Sequence, residues 1–144
     1  MATIQLEVVS PDNVVYSQDI AMLIVRSTGG ELGILPRHAP LVTGLIPHAM
    51  RVKLPGESEE QLIAIAGGFM EVTPQKITVL ASAAEEASTI DINRAKECYR
   101  RAKERIEQFH QGGPEADRID LHRAEIALQR AIARLKAAKA EYDV

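Results

Sequence analysis

The sequence predicts an all-β domain followed by an all-α two-helix hairpin. Short apolar runs between turn residues fill the first part of the chain, where six of the seven prolines and seven of the nine glycines lie. The second part carries twelve acidic and twelve basic residues and has one Gly-Gly-Pro interruption. Because the composition changes between Ala81 and Ser88, we place the boundary there, with a β domain at residues 1–84 and a helical domain at residues 85–144.

The first domain contains short apolar runs, many of them rich in β-branched residues. These runs are Ile4–Val9, Met22–Val25, Ile34–Leu35, Met50–Leu54, Leu62–Ala66, Phe69–Val72 and Ile77–Leu80. No connection between them is long enough for a crossover helix, so the sequence predicts an antiparallel sandwich or barrel. In the first run, Ile4, Leu6 and Val8 alternate with polar residues, which is typical of a strand that exposes one face.

Glycine and proline sequences separate these runs. Gly67 and Gly68 tolerate positive φ and stand between two runs, which predicts a two-residue hairpin turn. Pro55-Gly56, Pro74-Gln75 and Pro11-Asp12-Asn13 interrupt the other runs, and we expect turns there as well.

The second domain is predicted to form two helices. The segment Ser88–His110 contains neither Gly nor Pro, and Gln111–Pro114 ends this first helix. The second helix is expected from about Asp117 to Tyr142. Ser88 and Asp117 are the expected capping residues, because each is followed three residues later by a carboxylate.

Apolar residues of the second helix recur at alternating steps of three and four. They form one narrow stripe, half of it alanine: Leu121, Ala124, Leu128, Ala131, Leu135 and Ala138. Such a stripe packs closely against one partner helix but buries little apolar surface. We therefore expect a hairpin that is held only loosely on the β domain.

The pattern Ile-Asp-x-x-Arg-Ala occurs at both predicted helix starts, as Ile90–Ala95 and Ile119–Ala124. Downstream of it the arginine spacing also repeats: Arg94, Arg101 and Arg105 in the first helix, and Arg123, Arg130 and Arg134 in the second. Steps of seven and eleven residues return to within about 20° of the starting direction, so each trio forms one stripe. The hairpin can thus bring up to six guanidinium groups near one another.

Two explanations of this motif stay open. In the first, the aspartates only cap the helices and the arginines pair with Glu97, Glu104 or Asp120 on a solvated face. In the second, the arginines hold an anion. Arg94 and Arg123 stand in first helical turns, where the helix dipole disfavours a cation. A bound anion would relieve that conflict, and guanidinium groups suit phosphate oxygens.

Composition and motif content argue against several classes of protein. A net charge of -3 and 3% aromatic residues are unlike a dedicated nucleic-acid binder. A single cysteine, Cys98, and the lack of a signal-peptide pattern indicate a cytosolic protein without disulfides. No apolar stretch approaches the roughly 20 residues that span a bilayer, so membrane association is expected only through partners. We find no zinc spacing among the histidines, no phosphate-binding loop and no catalytic constellation, and we expect neither a metal site nor catalysis.

Three sequence strings carry a resemblance to a known family. They are Gly30–Leu41 (GELGILPRHAPL), Gly67–Val72 (GGFMEV) and Val8–Asp12 (VVSPD). Together with the repeated motif, they resemble the epsilon subunit of bacterial F-type ATP synthases over nearly the whole chain. The resemblance implies a ten-stranded antiparallel β-sandwich followed by a two-helix hairpin.

The resemblance also implies a non-catalytic subunit of the central stalk, or rotor. Its sandwich would dock on the gamma subunit and the c-ring, at the cytoplasmic side of the bacterial membrane, with Glu31 and His38 as contact residues. In the compact state the hairpin folds against the sandwich. In the extended state the helices rise along gamma to the alpha and beta subunits of the catalytic head and inhibit ATP hydrolysis.

In members that bind ATP, the nucleotide sits on the folded hairpin as a regulatory ligand that favours the compact state. The matching positions are Glu85, Ile90, Asp91, Arg94, Ala95, Arg101, Arg123, Arg130 and Arg134. The resemblance assigns Glu85 and Asp91 to the adenine and ribose end and the arginines to the phosphates, and it leaves the role of magnesium open. Two alternatives remain: a structural stalk adaptor without nucleotide sensing, and an arginine-rich hairpin that binds nucleic acid.

Overall fold

The computed structural model of the chain describes residues 2–141, which contain ten β-strands and two α-helices. The strands are β1 (Ile4–Val9), β2 (Val14–Ile20), β3 (Met22–Ser27), β4 (Gly30–Ile34), β5 (Leu41–Leu45), β6 (His48–Lys53), β7 (Glu60–Ile65), β8 (Gly68–Val72), β9 (Lys76–Ala81) and β10 (Ala84–Glu86). The helices are α1 (Ile92–Gln111) and α2 (Leu121–Ala137). The expected β-sandwich followed by a two-helix hairpin is thus confirmed.

The strands form one sheet that folds into two layers. Their order is β10-β7-β6-β3-β5-β8-β9-β1-β2, and β4 pairs with β3 outside this path. Strands β3 and β5 pair only at Ser27 and Leu45, which is where one layer passes into the other. Apolar side chains from both layers fill the space between them, including the fully buried Ile4, Leu6, Leu23, Met50, Ile63, Met70 and Ile77.

The strand pairs are antiparallel with one exception. Strands β1 and β9 run parallel, with Gln5 opposite Lys76 and Val9 opposite Leu80. This pair departs from the antiparallel arrangement that the short connections predicted, because it joins the first strand to the ninth and the rest of the sandwich forms the connection. The alternation predicted for β1 is observed, since Ile4, Leu6 and Val8 are buried.

The expected hairpin at Gly67 and Gly68 is wrong. Strand β7 pairs with β6 and β10, whereas β8 pairs with β5 and β9, so these two glycines carry the chain from one layer to the other. Both have positive φ, 106° and 151°. A tight glycine turn therefore marks the need for positive φ but does not fix which strands pair. Turns are found at Pro11–Asn13, Pro55-Gly56 and Pro74-Gln75, between strands that do pair.

The helices begin later than the sequence predicted. The capping residues are Asp91 and Asp120, not Ser88 and Asp117. Ser88 and Asp117 lie in short 3-10 turns, Ala87–Thr89 and Ala116–Arg118, and the isoleucine that follows each turn is extended. An extended residue cannot belong to the helix. Each helix therefore starts only after the aspartate that follows the extended isoleucine.

The helices also end where local backbone geometry requires. Helix α1 ends at Gln111, and Gly112 follows with φ +76°. Helix α2 ends at Ala137, and Lys139 adopts φ +55° while the Ala140 amide donates to the Leu135 carbonyl at 2.9 Å. This is the hydrogen-bond pattern of a left-handed helix cap, here with lysine instead of the usual glycine. Tyr142, the predicted end of the second helix, lies outside the described residues.

The hairpin packs through the predicted alanine stripe. Ala95 and Tyr99 of α1 meet Ala131 and Leu135 of α2. A second face of α2, which the sequence analysis did not identify, packs on strands β6 and β7. Its buried contacts are Ala133 and Ala137 of α2 with Ala64 and Ile90. Three of these four residues are alanines, which agrees with the expectation of a loosely held hairpin, because alanine buries little apolar surface.

Candidate functional site

The repeated motif forms one arginine-bearing surface on the hairpin. In both helices an arginine directly precedes an alanine buried in the helix–helix contact, as in Arg94–Ala95 and Arg123–Ala124. Two antiparallel helices are related by an approximate two-fold axis perpendicular to the plane that contains them. Residues that stand one position before a contact residue in each helix therefore lie on the same side of the pair. We call this surface the arginine side. It consists of Arg94, Arg101, Arg105, Arg123, Arg130 and Arg134.

Two arginines of α2 bind the sandwich directly. The Arg134 Nε lies 3.1 Å from Oε1 of Glu85 on β10, and about a third of each side chain is exposed. The Arg130 Nε donates a hydrogen bond to the Ala66 carbonyl at 3.3 Å. The space enclosed between these arginines and the end of β7 is about 10 Å³. A ligand of nucleotide size must therefore lie on the outer surface of the arginines rather than beneath them.

The aspartates of the motif cap the helices. Oδ1 of Asp91 accepts a hydrogen bond from the Arg94 amide at 3.0 Å, and Oδ1 of Asp120 accepts one from the Arg123 amide at 3.1 Å. The capping explanation of the aspartates is therefore confirmed. It does not account for the arginine side chains, since Arg94, Arg105 and Arg123 form no ion pair within residues 2–141.

The expected pairing of the arginine stripe with acidic neighbours is largely absent. Glu97 and Glu104 bind Arg100, which lies outside the stripe, and this pairing lowers the pKa of Glu97. Arg101 approaches Glu97 only at 3.9 Å, and its guanidinium lies 3.8 Å from the Cys98 sulfur. Most of the stripe thus presents guanidinium groups that no carboxylate neutralises in the described part of the chain.

The six arginines do not form one compact cluster. Because the helices are antiparallel, Arg94 lies beside the end of α2, where Ala95 packs close to Leu135. Arg123 lies eleven residues before Arg134 on α2, about 16 Å away along the axis. Asp91, Arg94 and Arg134 with its partner Glu85 therefore lie toward one end of the hairpin. Arg101 and Arg130 lie near the middles of their helices, and Arg123 lies near the other end.

Ile90 and Ala95 have packing roles in the described structure. Ile90 is 9% exposed and contacts the alanines that dock α2, and Ala95 is fully buried against α2. A ligand on the arginine side can therefore reach these two residues only through their backbone. Their predicted place in an ATP site stays a prediction, as do the roles of the other site residues.

Glu31 and His38 lie near one another in sequence but in different settings. Glu31 is exposed on β4, and its Oε1 lies 3.8 Å from a guanidinium nitrogen of Arg51. His38 follows β4, and its Nδ1 lies 2.7 Å from the Ala39 carbonyl oxygen. Their predicted contacts with partner subunits stay predictions.

An exposed apolar row crosses the outer face of the β5-β8-β9-β1-β2 layer. Phe69 and Leu80 are cross-strand partners and are 64% and 55% exposed. Leu80 lies opposite Val9, and Val9 lies opposite Val14, so the side chains continue in register across four strands. Val42, on the neighbouring β5, is 72% exposed. Sequence analysis missed this row because its members come from five separate strands. A contiguous patch of this kind marks an interaction surface.

His48 is a buried titratable group beside the hairpin. Its Nε2 accepts a hydrogen bond from the Arg26 amide at 2.9 Å, so the ring proton is on Nδ1, which lies 2.7 Å from the Ile46 carbonyl oxygen. Burial lowers the pKa of His48 below 6.5, and Arg26 adds to this effect, while the Ile46 carbonyl and Glu31 oppose it. The neutral ring is therefore part of the folded structure.

We expect acid to weaken folding through His48. The folded state binds fewer protons at this residue than the unfolded chain, so the stabilising contribution is complete above about pH 6.5 and is lost as pH falls through the lower folded-state pKa. The free energy of unfolding in urea should differ less between about pH 7.5 and pH 5 for His48→Gln than for the wild type. His110→Gln, at an exposed histidine, is the control and should keep the wild-type pH dependence. Equal pH dependence in wild type and His48→Gln would contradict the assignment.

The described part of the chain, residues 2–141, has neither a cluster of metal-ligating side chains nor a helix that could cross a membrane. No group of three or more His, Cys, Asp or Glu side chains is placed to hold a metal ion. No helix in this part of the chain has the length and apolar character needed to cross a membrane.

Comparisons with known proteins match both domains. Residues 3–87 match the β-sandwich domain of the ATP synthase delta/epsilon chain, and residues 88–139 match its long α-helix domain. The chain is similar to the ATP synthase epsilon chain of Alkalihalophilus pseudofirmus, with 50% identity over 77% of this chain and 82% of that protein. It is also similar to the ATP synthase epsilon chain of Halalkalibacterium halodurans, with 46% identity over 96% of this chain and 98% of that protein.

A solved structure agrees with these matches. The fold resembles a chain in the cryo-EM structure of the Euglena gracilis mitochondrial ATP synthase, OSCP/F1/c-ring in rotational state 1, with a TM-score of 0.75 and 25% identity. The similarity covers 96% of this chain and 82% of that chain. Since both domains match in order and the relatives share one name over nearly their full length, the chain belongs to the ATP synthase delta/epsilon chain family, as a non-catalytic epsilon-type subunit of the central stalk.

Proposed function

We propose that the chain links the catalytic head of an F-type ATP synthase to its c-ring, and that its hairpin inhibits ATP hydrolysis unless ATP holds it on the sandwich. The observation that carries this proposal is the arginine side. One end of it touches the sandwich through Glu85 and Arg134. Arg94, Arg105 and Arg123 present guanidinium groups that no carboxylate within residues 2–141 neutralises. A hairpin in this position can report the presence of a phosphate-bearing ligand.

The apolar row supports docking of the sandwich on the gamma subunit. Phe69, Leu80 and Val42 expose more than half of their surface, which costs free energy unless a partner covers them. The row lies on the layer that the hairpin does not cover, because α2 packs on β6 and β7 of the other layer. The sandwich can therefore bind gamma while the hairpin remains free to dock or to leave. Glu31, His38 and the c-ring complete the proposed stalk contacts, and membrane association on the cytoplasmic side follows through these partners alone.

We expect substitution of the apolar row to weaken gamma binding strongly. The double variant Phe69→Ser, Leu80→Ser should lose at least about 30-fold in affinity for gamma, because two large apolar side chains no longer leave water on binding. Co-purification and a binding titration with gamma give the measurement. Ile92→Ser, at an exposed isoleucine on α1, is the matched control and should bind as the wild type does. Wild-type affinity in the double variant would place the gamma surface elsewhere.

The docked hairpin explains how ATP could act as a switch. Arg134 is bound to Glu85 in the described structure, so one ion pair between the hairpin and the sandwich contributes to docking. The pair is partly exposed, and such pairs contribute at most about 1 kcal/mol. The triphosphate charge would stabilise the arginines far more than one carboxylate can. A ligand that binds only the compact hairpin then raises the population of that state by its differential affinity.

The test is calorimetric titration of the intact chain with ATP, ADP and GTP. We expect saturable ATP binding that weakens at least about tenfold in Arg94→Gln and in Arg130→Gln, since each loses a charge-assisted contact to phosphate. Asp91→Asn is the preferred variant at the cap, because asparagine keeps the capping acceptor and removes only the charge. Arg118→Gln is the control, since Arg118 is exposed in the hairpin connection and lies outside the arginine side.

The alternatives give different results. A stalk adaptor without nucleotide sensing shows no heat with millimolar ATP but still binds gamma. A nucleic-acid-binding hairpin shows an affinity for random RNA that falls steeply with salt and little preference for ATP. Magnesium is treated as a variable of the titration, with and without a chelator.

A further inference from the structure

The cleft on the other side of α2 has no role in the proposed switch. It lies between α2 and the outer face of β3, β4 and β6 and has a volume of about 480 Å³. This is within the range of small-molecule sites. Ile132 and Lys136 line it from α2, and each lies two residues from Arg134 and thus about 160° around the helix from it. The cleft and the arginine side are therefore separate surfaces.

The floor of the cleft is apolar and its walls come from both domains. Ile24 and Leu62 of the sandwich face Ile132 and Ala133 of α2 across it. Although the helix is docked, Ile24, Leu62 and Ile132 remain half-buried. A ligand with an apolar body can cover the surface that the small alanine contact leaves open.

The rim of the cleft carries excess positive charge. Three cationic side chains line it, Arg26, Arg51 and Lys136, against one carboxylate, Glu31. Arg51 is already bound by both oxygens of Glu60, at 2.6 and 2.7 Å. Arg26 and Lys136 form no ion pair within residues 2–141, and one belongs to the sandwich while the other belongs to α2. A single anionic group can attract both.

We propose that this cleft is a second ligand site, for a small amphipathic anion with an apolar body and one carboxylate, sulfonate or phosphate head. The apolar body lies on Ile24, Leu62 and Ile132, and the head binds Arg26 and Lys136. Because these residues belong to both domains, such a ligand also holds α2 on the sandwich. This site is separate from the arginine side, although both ligands would favour the docked hairpin.

The test uses naphthalene sulfonate as the probe, with naphthalene methanol as its neutral analogue and inorganic sulfate as the bare anion. We expect naphthalene sulfonate to shift the backbone amide NMR signals of β3, β6 and the second half of α2 saturably. The dissociation constant should rise about tenfold in Lys136→Gln and in Arg26→Gln, since each removes a charged contact to the head. The matched control is Lys96→Gln, at an exposed lysine on α1, which should leave the dissociation constant unchanged.

Several outcomes would overturn the proposal. If naphthalene methanol binds as tightly as naphthalene sulfonate, the anionic head does not contribute to binding. If inorganic sulfate binds as tightly, the apolar floor does not contribute. Shifts confined to Phe69 and Leu80 place the probe on the apolar row instead. A concentration-dependent dimer that shifts the cleft amides without ligand makes the cleft a contact between two copies. The probe is titrated without nucleotide. A failure to bind ATP would therefore contradict the proposed function of the arginine side and leave the proposed cleft site to be decided by the probe.

Discussion

Replacing Gly68 by alanine is expected to destabilise the β-sandwich by at least about 3 kcal/mol. Gly68 has φ +151°, a conformation that alanine rarely adopts. An added Cβ would lie 2.1 Å from the Leu80 carbonyl oxygen and 2.9 Å from the Ala81 Cα. Both atoms belong to the backbone of β9, which cannot move without breaking its pairing with β8.

Urea unfolding measures this loss, and Gly56→Ala is the control. Gly56 also has positive φ, +74°, but no atom lies within 4 Å of its added Cβ. Its replacement should therefore cost only the backbone strain, about 1–2 kcal/mol. If Gly68→Ala and Gly56→Ala lose similar amounts, the close approach to β9 does not contribute. If Gly68→Ala is too unstable to purify, its soluble yield and its resistance to limited proteolysis in the lysate are compared with those of Gly56→Ala.

Truncating Leu135 to alanine is expected to open the hairpin while the sandwich stays folded. Leu135 is 0% exposed and is the only large aliphatic side chain that is fully buried in the described helix–helix contact. Its loss leaves a cavity in the cluster that it forms with Ala95, Tyr99 and Ala131, at a cost of about 3 kcal/mol. The hairpin has few other large contacts, so this cost is a large share of its stability.

The measurement separates the two domains. Far-ultraviolet circular dichroism should show reduced helix content, and a protease should cut α1 and α2 faster, while amide exchange in β1 and β9 stays slow. Leu128→Ala is the control, because Leu128 packs against the same cluster but is only partly buried. An unchanged helix signal and unchanged proteolysis in Leu135→Ala would show that the contact with β6 and β7 holds the hairpin by itself.

The sequence predicted those features of the fold that depend on neighbouring residues. The alternation in β1, the proline-containing turns and the alanine stripe of α2 each arise from interactions over a few residues, and each is observed. Features that join distant parts of the chain were missed or wrong. The glycine pair 67–68 passes between layers, and the second face of α2 is visible only when the sandwich is in place.

The candidate site shows the same division. The Ile-Asp-x-x-Arg-Ala repeat identified two helix starts and two arginine stripes. Its aspartates cap the helices, whereas the sequence predicted the caps three residues earlier, at Ser88 and Asp117. The contacts of Arg134 with Glu85 and of Arg130 with Ala66 join residues that are far apart in sequence, and no local pattern predicts them. The apolar row on β8 and β9 needed the strand order, because alternation alone does not show which exposed residues become neighbours.

The parallel pair of β1 and β9 has a consequence for how the chain folds as it is made. Val8 pairs with Val79, so β1 can pair with β2 early but meets its second neighbour only when nearly all of the sandwich has been made. A pairing over so long a sequence separation raises the contact order of the domain and slows folding. During that interval the apolar face of β1, with Ile4, Leu6 and Val8, is uncovered and open to wrong pairing. The hairpin follows β9 and the short β10, and its local helix–helix contacts can form soon after the sandwich has closed.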